Sequence, residues 1–297
     1  KLANEVDSRA ANFARLHTPN VFGALGTDPT TNAAYLAAER RLFEKSCPDG
    51  DKYMIISPSM MASFIANQAV QFNPGPDIAR QYKTGLVGVH AGWEWYRSNN
   101  LYRHTAGTWA AGVTVTGAGQ SGGSLIITGT AGDTIKKGDR FSILNVNFVN
   151  PNSLRVVGGG QVQHFISLQD YTLTAGPDTI SIYPSIVGPG SPYQNVDALP
   201  ANGAALTLWP GTTTPNGKVG TVGLGLANKL GFGIVGAKYD RPPNTECSYA
   251  QDPQTGIAVR FTRWWDGDTA KTKYRFDQCI GFGVLYADED AVAVVGA

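Results

Sequence analysis

The first places where this chain could do chemistry are three glycine-framed patterns. Gly119-Gln120-Ser121-Gly122-Gly123 fits Gly-x-Ser-x-Gly, the sharp turn that exposes a nucleophilic serine between a strand and a helix. Gly117-Ala118-Gly119-Gln120-Ser121-Gly122 and Gly231-Phe232-Gly233-Ile234-Val235-Gly236 fit the dinucleotide fingerprint, whose glycines let a helix N-terminus approach a pyrophosphate. Both chemistries need a helix immediately afterwards. Residues 123–128 read instead as a strand, and the second pattern leads into Asp240-Arg241-Pro242-Pro243, so all three read as turns and strands of a glycine-rich chain. His164, the one histidine after Ser121, keeps step with Val162, Ile166 and Leu168, which predicts a packed, hydrogen-bonded core histidine and not a general base.

The remaining candidates are weaker. His17, His90 and His104 have no partner at metal-ligand spacing, and Cys47, Cys247 and Cys279 are scattered and odd in number, so neither a metal site nor a disulfide framework is expected. The cysteine usage fits a reducing compartment. Asp266/Asp268 and Asp288-Glu289-Asp290 lack the spacing of a calcium loop and read as solvated turn and surface charge. Trp264-Trp265 could stack on a sugar, but adjacent strand residues face opposite ways, so one ring is expected inside. No set of acid, base, nucleophile and orienting group survives: no catalytic, cofactor-binding or metal residue is assigned, and no cofactor is implied.

The elements that would have to position such groups point the same way. With 297 residues, 42% hydrophobic and only 16% charged, against a usual charged share of about 25%, the chain has ample material for a core. Lys+Arg and Asp+Glu number 24 and 23, a net charge of +1, which offers no cationic excess for a phosphate backbone. No apolar run approaches the roughly 20 residues needed to span a bilayer.

Leu2, Val6, Ala10, Phe13 and Ala14 recur at helical spacing until Pro19 ends the pattern. Tyr35, Ala38 and Leu42 give a second helix, and residues 53–56 form a strand feeding a third, with Ser57 as its cap and Pro58 in its first turn. Residues 84–107 are too rich in glycine for a helix and too aromatic for a loose loop, so packed irregular backbone with a short strand is expected. Runs at 113–116, 125–128, 140–144, 161–168, 179–183 and 205–208 are six short strands separated by turn residues, the pattern of a small all-β barrel or sandwich inserted into a larger domain. Residues 224–230 suggest a further short helix. Runs at 256–265 and 272–286 suggest a long hairpin across Asp266-Gly267-Asp268, Asp-Gly supplying positive φ.

The β insert carries a resemblance. Lys137-Gly138-Asp139-Arg140-Phe141-Ser142-Ile143, Val146-Asn147-Phe148-Val149-Asn150-Pro151, residues 161–165, Gln194-Asn195-Val196-Asp197-Ala198 and Pro200-Ala201-Asn202-Gly203-Ala204-Ala205 resemble the inserted domain of podovirus-type bacteriophage coat proteins. Upstream, Ala91-Gly92-Trp93-Glu94-Trp95-Tyr96 with His104-Thr105-Ala106-Gly107 is similar to the segment leading into that insert. Downstream, Gly256-Ile257-Ala258-Val259-Arg260, Tyr274-Arg275-Phe276-Asp277 and residues 292–295 are similar to the family's closing β segment.

The resemblance implies an α+β fold of the tailed-phage major capsid type, named for the Hong Kong phage: a peripheral domain with a spine helix, an axial domain, and an inserted six-stranded antiparallel β-barrel. It divides the chain into 1–111, the spine helix and first part of the core; 112–210, the inserted barrel; and 211–297, the rest of the core with a long hairpin. Family members carry an N-terminal arm and an extended loop ahead of the spine helix; this sequence starts inside that helix, and a fragment is expected. The implied function is self-assembly into an icosahedral shell around double-stranded DNA, with no enzymatic activity. The implied partners are further copies in hexamers and pentamers, a scaffolding protein, a portal protein at one vertex and weakly held DNA, with assembly in the bacterial cytoplasm, residence in the virion and no membrane. Two other readings stand beside it: a carbohydrate-binding or hydrolytic protein using Trp93, Trp95, Trp264, Trp265 or Ser121, and an encapsulin-like cellular shell.

Overall fold

The computed structural model describes residues 2–68, 84, 87–109, 112–228, 230–243, 245–253 and 257–297. Its first part runs α1 (Leu2–His17), β1 (Val21–Gly23), α2 (Asn32–Glu44), β2 (Lys52–Ile56), α3 (Pro58–Gln68), β3 (Val89–His90), β4 (Trp93–Arg97) and β5 (Arg103–Thr105). Next come β6 (Thr114–Val115), β7 (Gly122–Thr128), β8 (Thr134–Ile135), β9 (Arg140–Asn147), β10 (Val162–Ser167), β11 (Tyr171–Thr172), β12 (Asp178–Ile186) and β13 (Leu206–Leu208). The last part holds β14 (Val219–Ala227), β15 (Phe232–Ala237), β16 (Glu246–Gln251), β17 (Ala258–Asp266), β18 (Lys271–Val284), the short helix α4 (Ala287–Asp290) and β19 (Ala291–Val295). Two compact units result: Lys1–Gly231 with Tyr286–Ala297, and Phe232–Leu285.

In the larger unit, a seven-stranded sheet has the order β1-β19-β14-β2-β4-β3, with β5 pairing the start of β14. The helical spacing expected at 224–230 is overturned here: Leu224 and Leu226 belong to β14, which pairs β19 on one side and β2 on the other. A strand covered on both faces reads as a continuous apolar run without alternation, so it imitates a buried helix segment. Gly225 fits because neighbours crowd it, an added Cβ coming 2.8 Å from Val292 and 3.0 Å from Trp93. The third helix starts as its sequence requires, with Ser57 Oγ accepting the Met60 N–H at 3.2 Å. Residues 87–107 hold three short strands where one was expected; residues 85 and 86 lie outside the described residues.

The six predicted β runs form one antiparallel sheet, β13-β9-β10-β12-β7-β6. It curls until its edges meet: Leu206 N–H donates to Val113 O at 3.0 Å and Val115 N–H to Ala204 O at 2.9 Å. The barrel interior is filled by side chains such as Leu125, Ile127, Phe141, Ile143, Phe165 and Ile180, all fully buried. That interior is continuous with Val21, Val222, Ala293 and Val295 of the seven-stranded sheet and with Leu25 in the turn after β1. A second core joins Tyr35, Leu42, Met54, Phe64 and Trp93 to Val292 and Val294. Strand β19 therefore serves both, its period of two sending alternate residues into each core.

The smaller unit is a four-stranded antiparallel sheet, β15-β18-β17-β16, and none of its described residues belongs to either core. The predicted hairpin across residues 266–268 is present as β17 and β18; residue 256 lies outside the described residues. Its turn works differently from the expectation. Gly267 has no positive φ; Ala270 does, at 50°. Asp266 gathers the turn, accepting from the Asp268 N–H and the Thr269 hydroxyl at 3.2 and 2.7 Å.

Candidate functional site

The patterns that suggested catalysis are placed in unpromising surroundings. Ser121 sits in the loop between the antiparallel strands β6 and β7, so no helix follows it. His164 is buried in β10, where Nδ1 accepts the backbone N–H of Val21 at 3.1 Å. A bulge between Val162 and His164 breaks the step expected between those two residues. Trp93 and Trp95 are core residues, which removes them as sugar platforms. Trp264 is half-buried and Trp265 exposed, on opposite sides of β17. Among the described residues, no group of three or more His, Cys, Asp or Glu is arranged to hold a metal ion.

The structure instead builds two features from side chains that carried no assignment. The first is a polar joint between the barrel and the helices. Asp139, fully buried just before β9, accepts at Oδ1 from His104 Nε2 (2.8 Å) and Trp209 Nε1 (3.1 Å). Its Oδ2 accepts from the backbone N–H groups of Lys136 (2.8 Å) and Gly107 (3.0 Å), and from Trp109 Nε1 at 3.4 Å. The adjacent Arg140 reaches the other way, donating to the α1 carbonyl of Arg15 at 2.7 Å and to Thr18 O at 2.9 Å. Carbonyls at a helix C-terminus have no partner within the helix and carry partial negative charge, so a guanidinium there satisfies both needs.

Burial and the neighbouring Arg15 push Arg140 down to about 9, and burial pushes Arg15 down to about 10. Burial likewise lowers His104, outweighing its hydrogen bond with Asp139. The contacts agree with a neutral ring: Nε2–H donates to Asp139 while Nδ1 accepts from Arg15 Nη1 at 3.1 Å.

A second part of the joint lies along α2 and β10. Arg41, fully buried, donates to Asn20 Oδ1 at 3.2 Å, Gln161 Oε1 at 3.3 Å and Val162 O at 2.9 Å. Lys45 Nζ meets Asp288 Oδ1 at 2.6 Å, and Gln163 Nε2 donates to the same carboxylate at 3.3 Å. This corrects the reading of Asp288-Glu289-Asp290 as solvated charge: Asp290 is buried, and Asp288 neutralises a lysine that burial lowers to about 8. Such networks fix geometry, although Gln163 Oε1 is buried without a hydrogen-bond partner and a cavity lined in part by Lys45 and Asp288 lies beside the second one. The sequence did hold one signal for them, charged residues where apolar ones were due: Arg41 inside the stripe of Tyr35, Ala38 and Leu42, and Asp139-Arg140 directly before Phe141.

The second feature is a sheet face. The pairings Phe261–Phe276, Arg263–Tyr274 and Trp265–Thr272 set these residues on one side of the β17–β18 ladder. Ile234–Phe282 and Phe232–Val284 continue that side across β15. Phe276 and Trp265 remain 66% and 65% exposed, with Tyr274 and Ile234 also open to solvent. The opposite side carries Trp264 and a set of ion pairs: Asp277 binds Arg260 at 2.6 Å and also Arg275, and Asp266 pairs with Lys273. The result is a contiguous exposed aromatic face, larger than singly scattered surface apolar residues would make.

Comparison with known proteins agrees with a structural role. No curated protein sequence matches the chain. The family described as P22 coat protein, gene protein 5, matches residues 1–294. A match over nearly every residue, on a mixed α+β chain with a barrel closed inside it, shows that the chain belongs to the P22 coat protein family.

Proposed function

We propose that copies of this phage major capsid protein assemble, guided by a scaffolding protein, into an icosahedral shell that encloses the double-stranded DNA of a tailed bacteriophage. The observation that carries this reading is the family match over residues 1–294. The aromatic face of residues 232–285 supports it, since association buries apolar surface. In this reading residues 1–111 and 211–297 form the peripheral and axial core, and residues 112–210 are the inserted barrel, which stabilises the subunit through the polar joint and contributes contacts between capsomers. Hexamers and pentamers are the contacts made by the chain with itself, and a portal protein occupies one vertex. The net charge of +1 suits a wall that must let DNA slide past during packaging and ejection, because tight phosphate binding needs a cationic surplus. Assembly takes place in the bacterial cytoplasm and the product resides in the virion.

The test is sedimentation of the intact coat protein co-expressed with its scaffolding partner. The reading predicts that most of the chain sediments as large particles; a chain that remains monomeric at every scaffolding ratio refutes it.

A further inference from the structure

A cavity of about 380 Å³ opens where the barrel loops meet the ends of α2 and α4. Val149 and Pro151, which follow β9, and Pro192, Tyr193 and Gln194, which lie between β12 and β13, line it from the barrel side. Lys45, just after α2, and Asp288 and Glu289 of α4 line it from the core side. Its size is that of a small-ligand site.

The charges in it do not balance. Lys45 is the one cation among the lining residues, and its ammonium already meets Asp288 at 2.6 Å. Glu289 is left over. It is half-buried, and among the described residues its carboxylate accepts no hydrogen bond and forms no ion pair. Burial and the adjacent Asp288 hold it above the ordinary carboxylate value. Acceptors are in surplus as well. Gln194 spends its amide N–H on Val196 O at 2.9 Å, and Gln163, hydrogen-bonded to Asp288, keeps its Oε1 buried with no donor. A desolvated carboxylate and an unmet buried acceptor each cost free energy until a donor reaches them.

The rest of the lining is apolar. Val149 is buried, Pro151 is half-buried, and Tyr193 is 84% exposed, a ring face on which a cation can rest. Surplus negative charge beside apolar walls is the complement of a positive head on a methylene stem. An anion would meet Glu289 and find Lys45 already engaged; a neutral apolar molecule would leave every acceptor unmet.

We propose that this cavity is a binding site for an organic cation, a primary ammonium carried on a short alkyl stem, with Glu289 as its counter-ion. Two sources offer that chemistry: a free linear diamine, or a lysine side chain of a second copy of the chain, which presents Lys136 and Lys137 side by side and exposed. The site rests on the geometry of one chain, and only the second source depends on the shell reading.

The probe is the linear diamine cadaverine. At about 20 mM it is expected to raise the thermal unfolding midpoint of the intact coat protein by about 1–2 °C over sodium chloride of equal ionic strength. Glutarate, a dicarboxylate of similar length, is expected to give no shift. Glu289→Gln should abolish the cadaverine shift without lowering the midpoint in salt, and Tyr193→Ala, at an exposed position, should reduce it. Should Glu289→Gln fold poorly, Tyr193→Ala carries the same comparison. A cadaverine shift no larger than that of salt or glutarate, or one that survives in Glu289→Gln, overturns the site.

A second arm separates the sources. Shells assembled without amines from equal parts of light and heavy-isotope chains are treated with a carbodiimide, which joins a carboxylate to an amine in contact with it. A peptide joining Glu289 of one isotope to a lysine of the other identifies the second copy as the source. Glu289 that couples only to added cadaverine identifies the free diamine, and Glu289 that couples to neither overturns the site. Chains that form no shell count against the shell reading alone, because the thermal comparison needs only the free chain.

Discussion

The polar joint around Asp139 and the aromatic face around Phe276 place opposite residue types where the usual distribution would not. In the joint, charged side chains are sealed inside and satisfied by backbone groups and neutral polar side chains; in residues 232–285, large apolar rings are held out in water. The joint spends its charges on geometry within the chain, because a buried carboxylate with five donors has one arrangement and fixes the segments that supply them. Residues 232–285 keep their apolar area unspent, and that area is available only to something outside the described residues. One region fixes geometry within the chain; the other leaves apolar surface in water, which the proposed function assigns to association. That division of labour is what a building unit requires.

The contrast can be broken most sharply at Asp139. Replacing it with Ala leaves the His104 ring N–H, the backbone N–H groups of Gly107 and Lys136 and two tryptophan N–H groups without their buried acceptor, and Arg15 and Arg140 without a nearby negative charge, so a loss of about 3–5 kcal/mol in unfolding free energy is expected, measured by urea denaturation. A change under about 1 kcal/mol would mean that the joint is ornamental. Arg41→Ala, which leaves three acceptors without the guanidinium that donates to them and removes its stacking over Phe148 at 4.1 Å, is expected to cost about 2–4 kcal/mol by the same assay.

The joint should also titrate where residues 232–285 do not. His164 is held well below its ordinary value of 6.5 by burial and by Arg41, Lys45 and Arg140, and burial lowers His104 as well. Below pH 6.5 the unfolded chain takes up protons at these positions that the folded chain refuses. Stability is therefore fully present above 6.5 and falls as pH drops below it, by at most about 1.4 kcal/mol per pH unit for each histidine. Denaturation midpoints between pH 5 and 7 measure this, and His164→Gln should flatten the slope. Residues 232–285 contain no histidine, so exchange protection within them is expected to stay level over the same range.

The smallest effect on stability is expected on the aromatic face. Phe276→Ser is predicted to change the unfolding free energy of the 297-residue chain by less than about 0.5 kcal/mol, since the ring is already 66% exposed. Its consequence belongs to association: particle yield should fall while the free chain stays folded. Unchanged yield would remove that face from the assembly surface.

Much of this architecture could be read from residue order, and the failures have physical causes. The six barrel strands were legible because turn residues punctuate them and one side of each strand alternates into the interior, as Ile180 and Ile182 do. Strand β14 was not, because a strand buried on both faces loses the alternation that identifies it, and Leu224 and Leu226 sit among glycines demanded by close neighbours. The aromatic face was half visible: strand alternation separates Trp264 from Trp265, but the rows formed by Phe261, Phe276 and Tyr274 depend on a register that no local pattern sets. The joint was least legible. Asp139 meets His104, Trp109 and Trp209 only after the barrel closes, and Lys45 meets Asp288 across 243 residues of chain.

Electron cryomicroscopy of the fast-sedimenting material from cells expressing the intact coat protein with its scaffolding partner tests the account at its centre. The account predicts closed icosahedral shells in which every copy keeps the joint around Asp139 intact and has Phe276, Tyr274 and Trp265 covered by protein. Fields holding no shells, or shells whose copies leave those three rings facing solvent, would contradict it.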